Sequence, residues 1–259
     1  MVTKDPIIAK KSFGQNFLKD LKTLEKIVAA AKLLPGEQVL EIGPGRGSLT
    51  SRLLATQAHL TAVERDPELI PHLQEQFGKM QHFALIREDI LRWQVPSEWA
   101  QYKVVANIPY YITKDIVNKF LFEEKNMPTT MVLMVQKEFG EKATGRAPHA
   151  TFLSNMIGLR AKATLIAQVP RHFFEPAPKV DSAILRLESM DVDHRIQFPS
   201  MQKLLERAFA GGRKKMRNTL AGIISPKVER SKALDSFLER RPEELTPQEW
   251  QELYTLIYS

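Results

Sequence analysis

Two short stretches of this sequence combine backbone and side chains suited to holding a nucleoside and presenting an amino group: EIGPGRG at 41–47 and NIPYY at 107–111. In the first, Gly43, Gly45 and Gly47 follow the apolar run QVLEI (38–42). Glycine permits φ values closed to other residues and close approach of the backbone to a ligand, and open α/β sheets bind nucleotides at the first strand-to-helix turn. The third glycine stands two residues after the second, whereas the dinucleotide fingerprint G-x-G-x-x-G places it three after, which disfavours NAD and FAD. Glu64 ends the next run, LTAVE (60–64), where a carboxylate can accept hydrogen bonds from two vicinal ribose hydroxyls. Asp89, just after FALIR (83–87), is placed to meet an adenine amino group. Either acid alone reads as well as a solvated loop residue or a helix cap. Together with the glycine turn they fit a nucleoside ligand without a pyrophosphate, which points to S-adenosylmethionine.

A methyl donor gives NIPYY a chemical reading. The amino groups of adenine and cytosine are weak nucleophiles because the nitrogen lone pair is delocalised into the ring. The Asn107 side-chain oxygen and the Ile108 carbonyl are candidates to accept both N–H hydrogens, favouring a pyramidal nitrogen with its lone pair aimed at a methyl group. Pro109 fixes φ and removes one donor, so the turn presents carbonyls. Tyr110 can stack on a base taken out of its helix, a contact worth roughly 1–3 kcal/mol. By itself Asn-x-Pro is a common turn signal and Tyr a common core-edge residue. The glycine turn and the two acids tip the balance.

Other chemistries are disfavoured. The chain has no cysteine, which excludes disulfides, thiol catalysis and cysteine-ligated zinc, and its six histidines show no HExxH or comparable spacing, so no metal is expected. A net charge of +7 favours a polyanionic partner without establishing one. No stretch approaches the roughly 20 apolar residues of a membrane helix, and the N-terminus, with Lys4, Asp5, Lys10 and Lys11, lacks a signal peptide's apolar core. A cytoplasmic, soluble protein with no membrane partner is the expectation.

The elements that must position these residues follow from periodicity. QVLEI, LTAVE, FALIR, KVVANI (103–108), TTMVLMV (129–135), ATLIAQV (163–169) and SAILRLE (182–188) alternate with helical patterns from about residue 36 to 187. Val and Ile on both strand faces, with room for crossover helices, predict a doubly wound α/β sheet, largely parallel and covered on both sides. Between the last two runs, Pro170, Pro176 and Pro178 leave a loop rather than a helix, so an antiparallel edge strand is expected there. After Glu188, SMQKLLERAFA, KKMRNTLAGII, SKALDSFLERR and TPQEWQELYTLIYS carry helical spacing, with Ser200 and Thr246 as N-caps and Pro247 at a first helical position. The expected organisation is an α/β domain over 1–189 and a small helical domain over 190–259.

FGQNFL (13–18), EIGPGRG, NIPYYIT (107–113), QKE (136–138), FFEPAPKVDSA (173–183) and AFAGGRKKMRNTL (208–220) together resemble the KsgA/RsmA family of ribosomal RNA adenine N6,N6-dimethyltransferases. The resemblance runs over nearly the whole chain. It implies a Rossmann-like class I methyltransferase domain with a C-terminal helical RNA-binding domain. The implied reaction is transfer of four methyl groups from S-adenosylmethionine, leaving S-adenosylhomocysteine, to two adjacent adenosines near the 3′ end of 16S ribosomal RNA. The implied setting is the 30S subunit or its precursor, with the enzyme acting as a monomer. By matched motif, Asn16, Leu18, Gly43, Gly45, Glu64, Asp89 and Asn107 would line the cofactor site, and Tyr110 and Phe174 would sandwich the target adenine. Phe173 and Phe174 read from their loop alone are equally well loop-closing core. After QKE the segment FGEKATGRAPHATFLSN lacks the family's Pro-Gly-Ser turn and Tyr-Gly pair.

The Erm-type methyltransferases, which modify one adenosine of large-subunit RNA and confer macrolide resistance, share the glycine turn and NIPY. FGQNFL, PKVDSA and RKKMRN favour the small-subunit enzyme. A non-catalytic nucleic-acid-binding assembly factor on the same fold is disfavoured by the intact Glu64, Asp89, Asn107 and Tyr110. For the RNA, the asymmetric stretch Lys203, Arg207, Arg213, Lys214, Lys215 and Arg217, with Glu206 as its one acid, is the candidate surface. Lys4, Lys10, Lys11, Lys19 and Lys22 form a weaker second candidate.

Overall fold

The computed structural model describes residues 9–10, 13–191, 196–212, 214–224 and 231–258. It divides into two compact units, one of residues 1–140 with 164–189 and one of 141–163 with 190–259. The boundary expected at 189/190 is one of the crossings. Residues 141–163, expected in the first domain, group instead with the C-terminal helices.

In the first unit the elements are β1 (Phe17–Leu18), α1 (Leu21–Ala31), β2 (Gln38–Ile42), α2 (Thr50–Ala55), β3 (His59–Glu64), α3 (Ile70–Phe77), β4 (Phe83–Arg87), β5 (Lys103–Asn107), α4 (Thr113–Asn118) and β6 (Thr130–Gln136). The chain continues through α5 (Lys137–Ala143), α6 (Phe152–Gly158), β7 (Ala161–Val169), β8 (Phe174–Glu175) and β9 (Ser182–Ser189), then α7 (Phe198–Phe209), α8 (Met216–Thr219), α9 (Lys232–Leu238) and α10 (Pro247–Tyr258).

Seven strands form one sheet in the order β4-β3-β2-β5-β6-β9-β7. From β4 to β6 every neighbouring pair is parallel. Val39, Leu40, Leu60, Val104, Val105 and Met131 to Val135 are almost wholly buried, so both faces of the central strands are covered. Each such side chain contributes roughly 1.5–3 kcal/mol relative to exposure. The strand order reverses between β2 and β5, and the crevice outside their carboxyl ends is where such sheets take ligands. EIGPGRG and NIPYY lie at these two ends.

The antiparallel strand is present but is not at the edge. β9 pairs antiparallel with β6 and lies between it and β7. The burial pattern gives the reason: Ala183, Ile184, Leu185 and Leu187 of β9 are buried, whereas β7 keeps Lys162 and Ile166 exposed and so suits an edge. A second, two-stranded ladder was not expected. β1 pairs antiparallel with β8 in the register Phe17↔Glu175 and Leu18↔Phe174, joining FGQNFL to FFEPAP.

Among the described residues of the second unit, α10 begins as expected. Thr246 Oγ1 accepts from the Glu249 amide at 3.2 Å while the Thr246 amide donates to Glu249 Oε2 at 2.8 Å. Ser200 is not a cap: α7 starts two residues earlier after Gln197, with Pro199 in its first turn. The helix expected over 214–224 is only the single turn of α8, because Lys215 before it is extended (φ −65°, ψ 149°). Trp250 in α10 and Met201, Leu204 and Leu205 in α7 are fully buried.

Candidate active site

A cavity opens at the carboxyl ends of β2, β3 and β5. Every residue expected at the site lines it except Phe174: Asn16, Leu18, Gly43, Gly45, Glu64, Asp89, Asn107, Ile108, Pro109 and Tyr110. Phe13 and Gln15 form part of its wall as well.

The glycine turn is held by the Gly43 amide, which donates to the Val63 carbonyl at 2.9 Å, and by the Gly47 amide, which donates to Pro44 O at 2.9 Å. Gly43 has φ +65°, and a Cβ built on it would meet nothing within 4 Å, so its place reflects backbone conformation and an open face. Gly47 differs: at φ +81° its Cβ would fall 2.5 Å from a Phe77 ring carbon, so this glycine lets the turn pack against α3.

Glu64 is 6% exposed. Its Oε2 accepts from the Gly45 amide at 3.2 Å and its Oε1 from the Asp66 amide at 2.8 Å, leaving further lone pairs for a vicinal diol. Burial raises its carboxyl above the ordinary value, the two amides opposing. Asp89 Oδ1 accepts from the Leu91 amide at 3.0 Å, and Oδ2 lies 3.4 Å from an Arg65 guanidinium nitrogen, so this acid caps its own turn while standing on the cavity wall.

At the end of β5, Asn107 Nδ2 donates to the Asn16 carbonyl at 3.1 Å. Only the amide nitrogen can donate to a carbonyl, so this bond assigns the two ends of the side chain and makes Oδ1 the acceptor. Tyr110 is hydrogen-bonded through its hydroxyl to Ser182 of the PKVDSA stretch, and Ser182 is 0% exposed. Burial raises the Tyr110 phenol against the opposing Ser182 hydrogen bond, so it stays protonated. Replacing Ser182 with Ala would leave that hydroxyl unpaired. Urea denaturation of Ser182→Ala is expected to show a loss of about 1–3 kcal/mol, and the Tyr110→Phe/Ser182→Ala double variant no further loss.

Phe174 is corrected by the structure. It is 2% exposed and packed in the core with Leu18, Leu24 and Ile27, because the β1–β8 pairing turns its ring inward. Its loop neighbour Phe173 is partly buried against the same cluster.

Two buried acids at the cavity escaped the sequence reading. Glu41 is 1% exposed on the cavity wall, with the Thr50 hydroxyl beside its carboxylate. Burial, opposed by the Thr50 hydroxyl and reinforced by Glu64, pushes its carboxyl up to about 8. The available signal was an acid inside an otherwise apolar strand. Asp66, 2% exposed, collects contacts from residues 10 and 15 that no local pattern announces.

The candidate RNA surfaces carry more compensation than the local sequence implies. Lys215 and Arg217 pair with Glu239 at 2.9 and 2.8 Å, and Arg207 Nε donates to Thr219 O. Lys203 and Lys214 are exposed, and Arg213 lies outside the described residues. In the other cluster Lys10 pairs with Asp66 and Glu68, Lys19 with Glu175, and Lys4 and Lys11 lie outside the described residues.

A ribose-compatible carboxylate and an open glycine face on one cavity suit S-adenosylmethionine, and together with the doubly wound sheet they define a Rossmann-like methyltransferase that uses it. Residues 8–253 match the family model described as ribosomal RNA adenine dimethylase. The chain belongs to that family. It is 40% identical to the Ribosomal RNA small subunit methyltransferase A of Parasynechococcus marenigrum (strain WH8102), over 93% of this chain and 85% of that one. It is 39% identical to the protein of that name from Gloeobacter violaceus (strain ATCC 29082 / PCC 7421), over 94% and 91%. Among solved structures it resembles the 23S rRNA methyltransferase ErmE (TM-score 0.77, 30% identity, 94% of this chain and 100% of that one). A dimethyladenosine transferase from Plasmodium falciparum gives a TM-score of 0.78 at 26% identity, over 92% and 95%. No helix among the described residues is long and apolar enough to cross a membrane.

Proposed function

We propose that this protein dimethylates N6 of two adjacent adenosines near the 3′ end of 16S ribosomal RNA, within the 30S subunit or its precursor, as a cytoplasmic monomer. The observation that carries the reading is the Asn107–Asn16 bond, which occupies the amide nitrogen and leaves Oδ1 as an acceptor on a residue of the cavity wall. The relatives named as small-subunit methyltransferases support the choice of RNA.

S-adenosylmethionine, when bound, supplies an electrophilic methyl group on a sulfonium, a good leaving group. Gly43, Gly45, Glu64, Asp89, Asn16 and Leu18 are the residues that would hold it. Asn107 Oδ1 and the Ile108 carbonyl accept the two N–H hydrogens of the adenine, and the Tyr110 ring, anchored by Ser182, is its stacking face. These groups act by orientation and preorganised electrostatics. No strong base is needed, because the amino nitrogen becomes acidic as it forms its new bond. A monomethylated adenine retains one N–H for the same acceptors, which allows a second transfer. Phe174, buried as it is, supports the wall behind Leu18 instead of closing a sandwich.

Purified 30S and 50S particles incubated with labelled S-adenosylmethionine provide the test. Label in 30S particles, recovered as dimethyladenosine, is the expected result. Label only in 50S particles would transfer the assignment to the Erm-type reaction, and label in neither would leave a non-catalytic assembly factor.

A further inference from the structure

We infer that Asp66 is a positioning residue: it clamps residues 13–18 over the methyl-donor cavity through Lys10 and Gln15, and links that segment to the ribose acceptor Glu64. The inference rests on the cavity being the donor site.

The Asp66 carboxylate uses both oxygens. Oδ1 accepts from Lys10 Nζ at 2.8 Å and from the Glu68 amide at 3.1 Å, and Oδ2 accepts from Gln15 Nε2 at 2.8 Å. Gln15 Oε1 in turn accepts from the Lys10 amide at 2.8 Å, closing a ring of contacts around one carboxylate. Exposed ion pairs contribute little, but Asp66 is 2% exposed and its partners come from a segment more than 50 residues away, where charge-assisted bonds are stronger. Burial alone would raise its carboxyl, yet Lys10, the Glu68 amide and Gln15 hold it below the ordinary value. Its own amide donates to Glu64 Oε1 at 2.8 Å, so the group that fastens the segment also orients the ribose acceptor.

The segment is fastened again on the far side of the cavity. Asn16 O accepts from Asn107 Nδ2, and Gly14, at φ +62°, sits where a Cβ would come 3.1 Å from the Tyr111 ring and 3.3 Å from Pro109. Phe13, Gly14, Gln15 and Asn16 all line the cavity between these two attachments. Releasing the Asp66 end therefore frees a cavity wall while leaving the glycine turn and the β5 turn in place.

The test uses Asp66→Ala, Gln15→Ala and Asp66→Asn in the full chain. Without donor, amide hydrogen exchange over 13–18 should accelerate by about tenfold or more in both alanine variants, with β2 and β5 unchanged, because local opening is governed by such contacts. With donor, KM for S-adenosylmethionine should rise about tenfold while kcat stays within about threefold, a loss of one charge-assisted anchor. Asp66→Asn, which can still accept from Gln15, should fall between native and Ala. Unchanged exchange over 13–18 in both Asp66→Ala and Gln15→Ala overturns the inference, as does faster exchange with an unaltered donor KM. The exchange result is independent of any methyl acceptor, so it survives if the RNA assignment fails. Gln15→Ala removes a half-buried side chain and keeps the Asp66 carboxylate with Lys10, so a folding failure of Asp66→Ala leaves the test intact.

Discussion

Asn107→Ala is expected to lower kcat for methyl transfer by about 100- to 1,000-fold while weakening S-adenosylmethionine binding by less than about tenfold. The magnitude follows from removing one preorganised hydrogen-bonding group that acts on the reacting atom, which typically costs two to three orders of magnitude in kcat. The acceptor matters most as the nitrogen becomes tetrahedral and its N–H groups more acidic, so the loss appears in the transition state rather than in ground-state binding. A smaller effect on the donor is expected through the lost Nδ2 bond to Asn16 O. Asn107→Asp separates the two roles, since a carboxylate still accepts but cannot donate to Asn16 O. Its donor affinity should fall at least as far as that of Asn107→Ala, while it keeps more of the native kcat. Single-turnover rates and equilibrium titrations measure the two quantities independently. Native turnover in Asn107→Ala would remove this residue from the mechanism.

The second large effect is thermodynamic. Glu41 has its carboxyl pushed from 4.5 up to about 8 by burial, against the Thr50 hydroxyl and with the charge of Glu64 acting in the same direction as burial. The folded protein therefore holds a proton that the unfolded chain releases near its ordinary value. Stability from this group is complete below about pH 4.5, declines as pH rises through the window to about 8, and is level above it. At roughly 1.4 kcal/mol per pH unit, the window amounts to about 5 kcal/mol. Glu41→Gln keeps the shape and removes the proton linkage. It is expected to match the native protein near pH 4.5 and to exceed its stability by several kcal/mol at pH 9. Glu64, also raised, contributes a slope of the same sign to both proteins, so the difference between them isolates Glu41. Denaturant titrations at pH 5, 7 and 9 give the comparison, and parallel curves would show that Glu41 is not the titrating group. Ionisable groups held buried at such a cost concentrate at functional sites, and this one faces the cavity.

Much of the site was legible along the chain because open α/β folds place ligands at strand ends, and strand ends are visible as apolar runs stopping at polar residues. Gly43, Glu64, Asp89 and Asn107 each follow such a run, and the parallel register of β2 with β3 and β5 brings their ends level. Gly47 was legible as a turn residue, but that it makes room for Phe77 was not, since Phe77 stands 30 residues away. The basic stretch up to Arg217 looked nearly uncompensated because its counter-charge, Glu239, lies just past the end of α9. The C-terminal helices were recognisable by periodicity, but their ends shifted where Pro199 and the extended Lys215 set the first turn.

By itself the sequence determined the alternation of strands and helices, the positions of the glycine turn and the Asn-Ile-Pro-Tyr turn, and a family resemblance carried by several separated motifs. Those are local properties: side-chain period, turn chemistry and residue identity. Only the tertiary structure decided that the Asn107 amide nitrogen is taken up by the Asn16 carbonyl, that Phe174 turns into the core, that β9 lies inside the sheet and that Asp66 fastens residues 10 and 15. Each depends on a pairing between distant segments, and the energy that selects it comes from burial and hydrogen bonds that exist only after those segments meet.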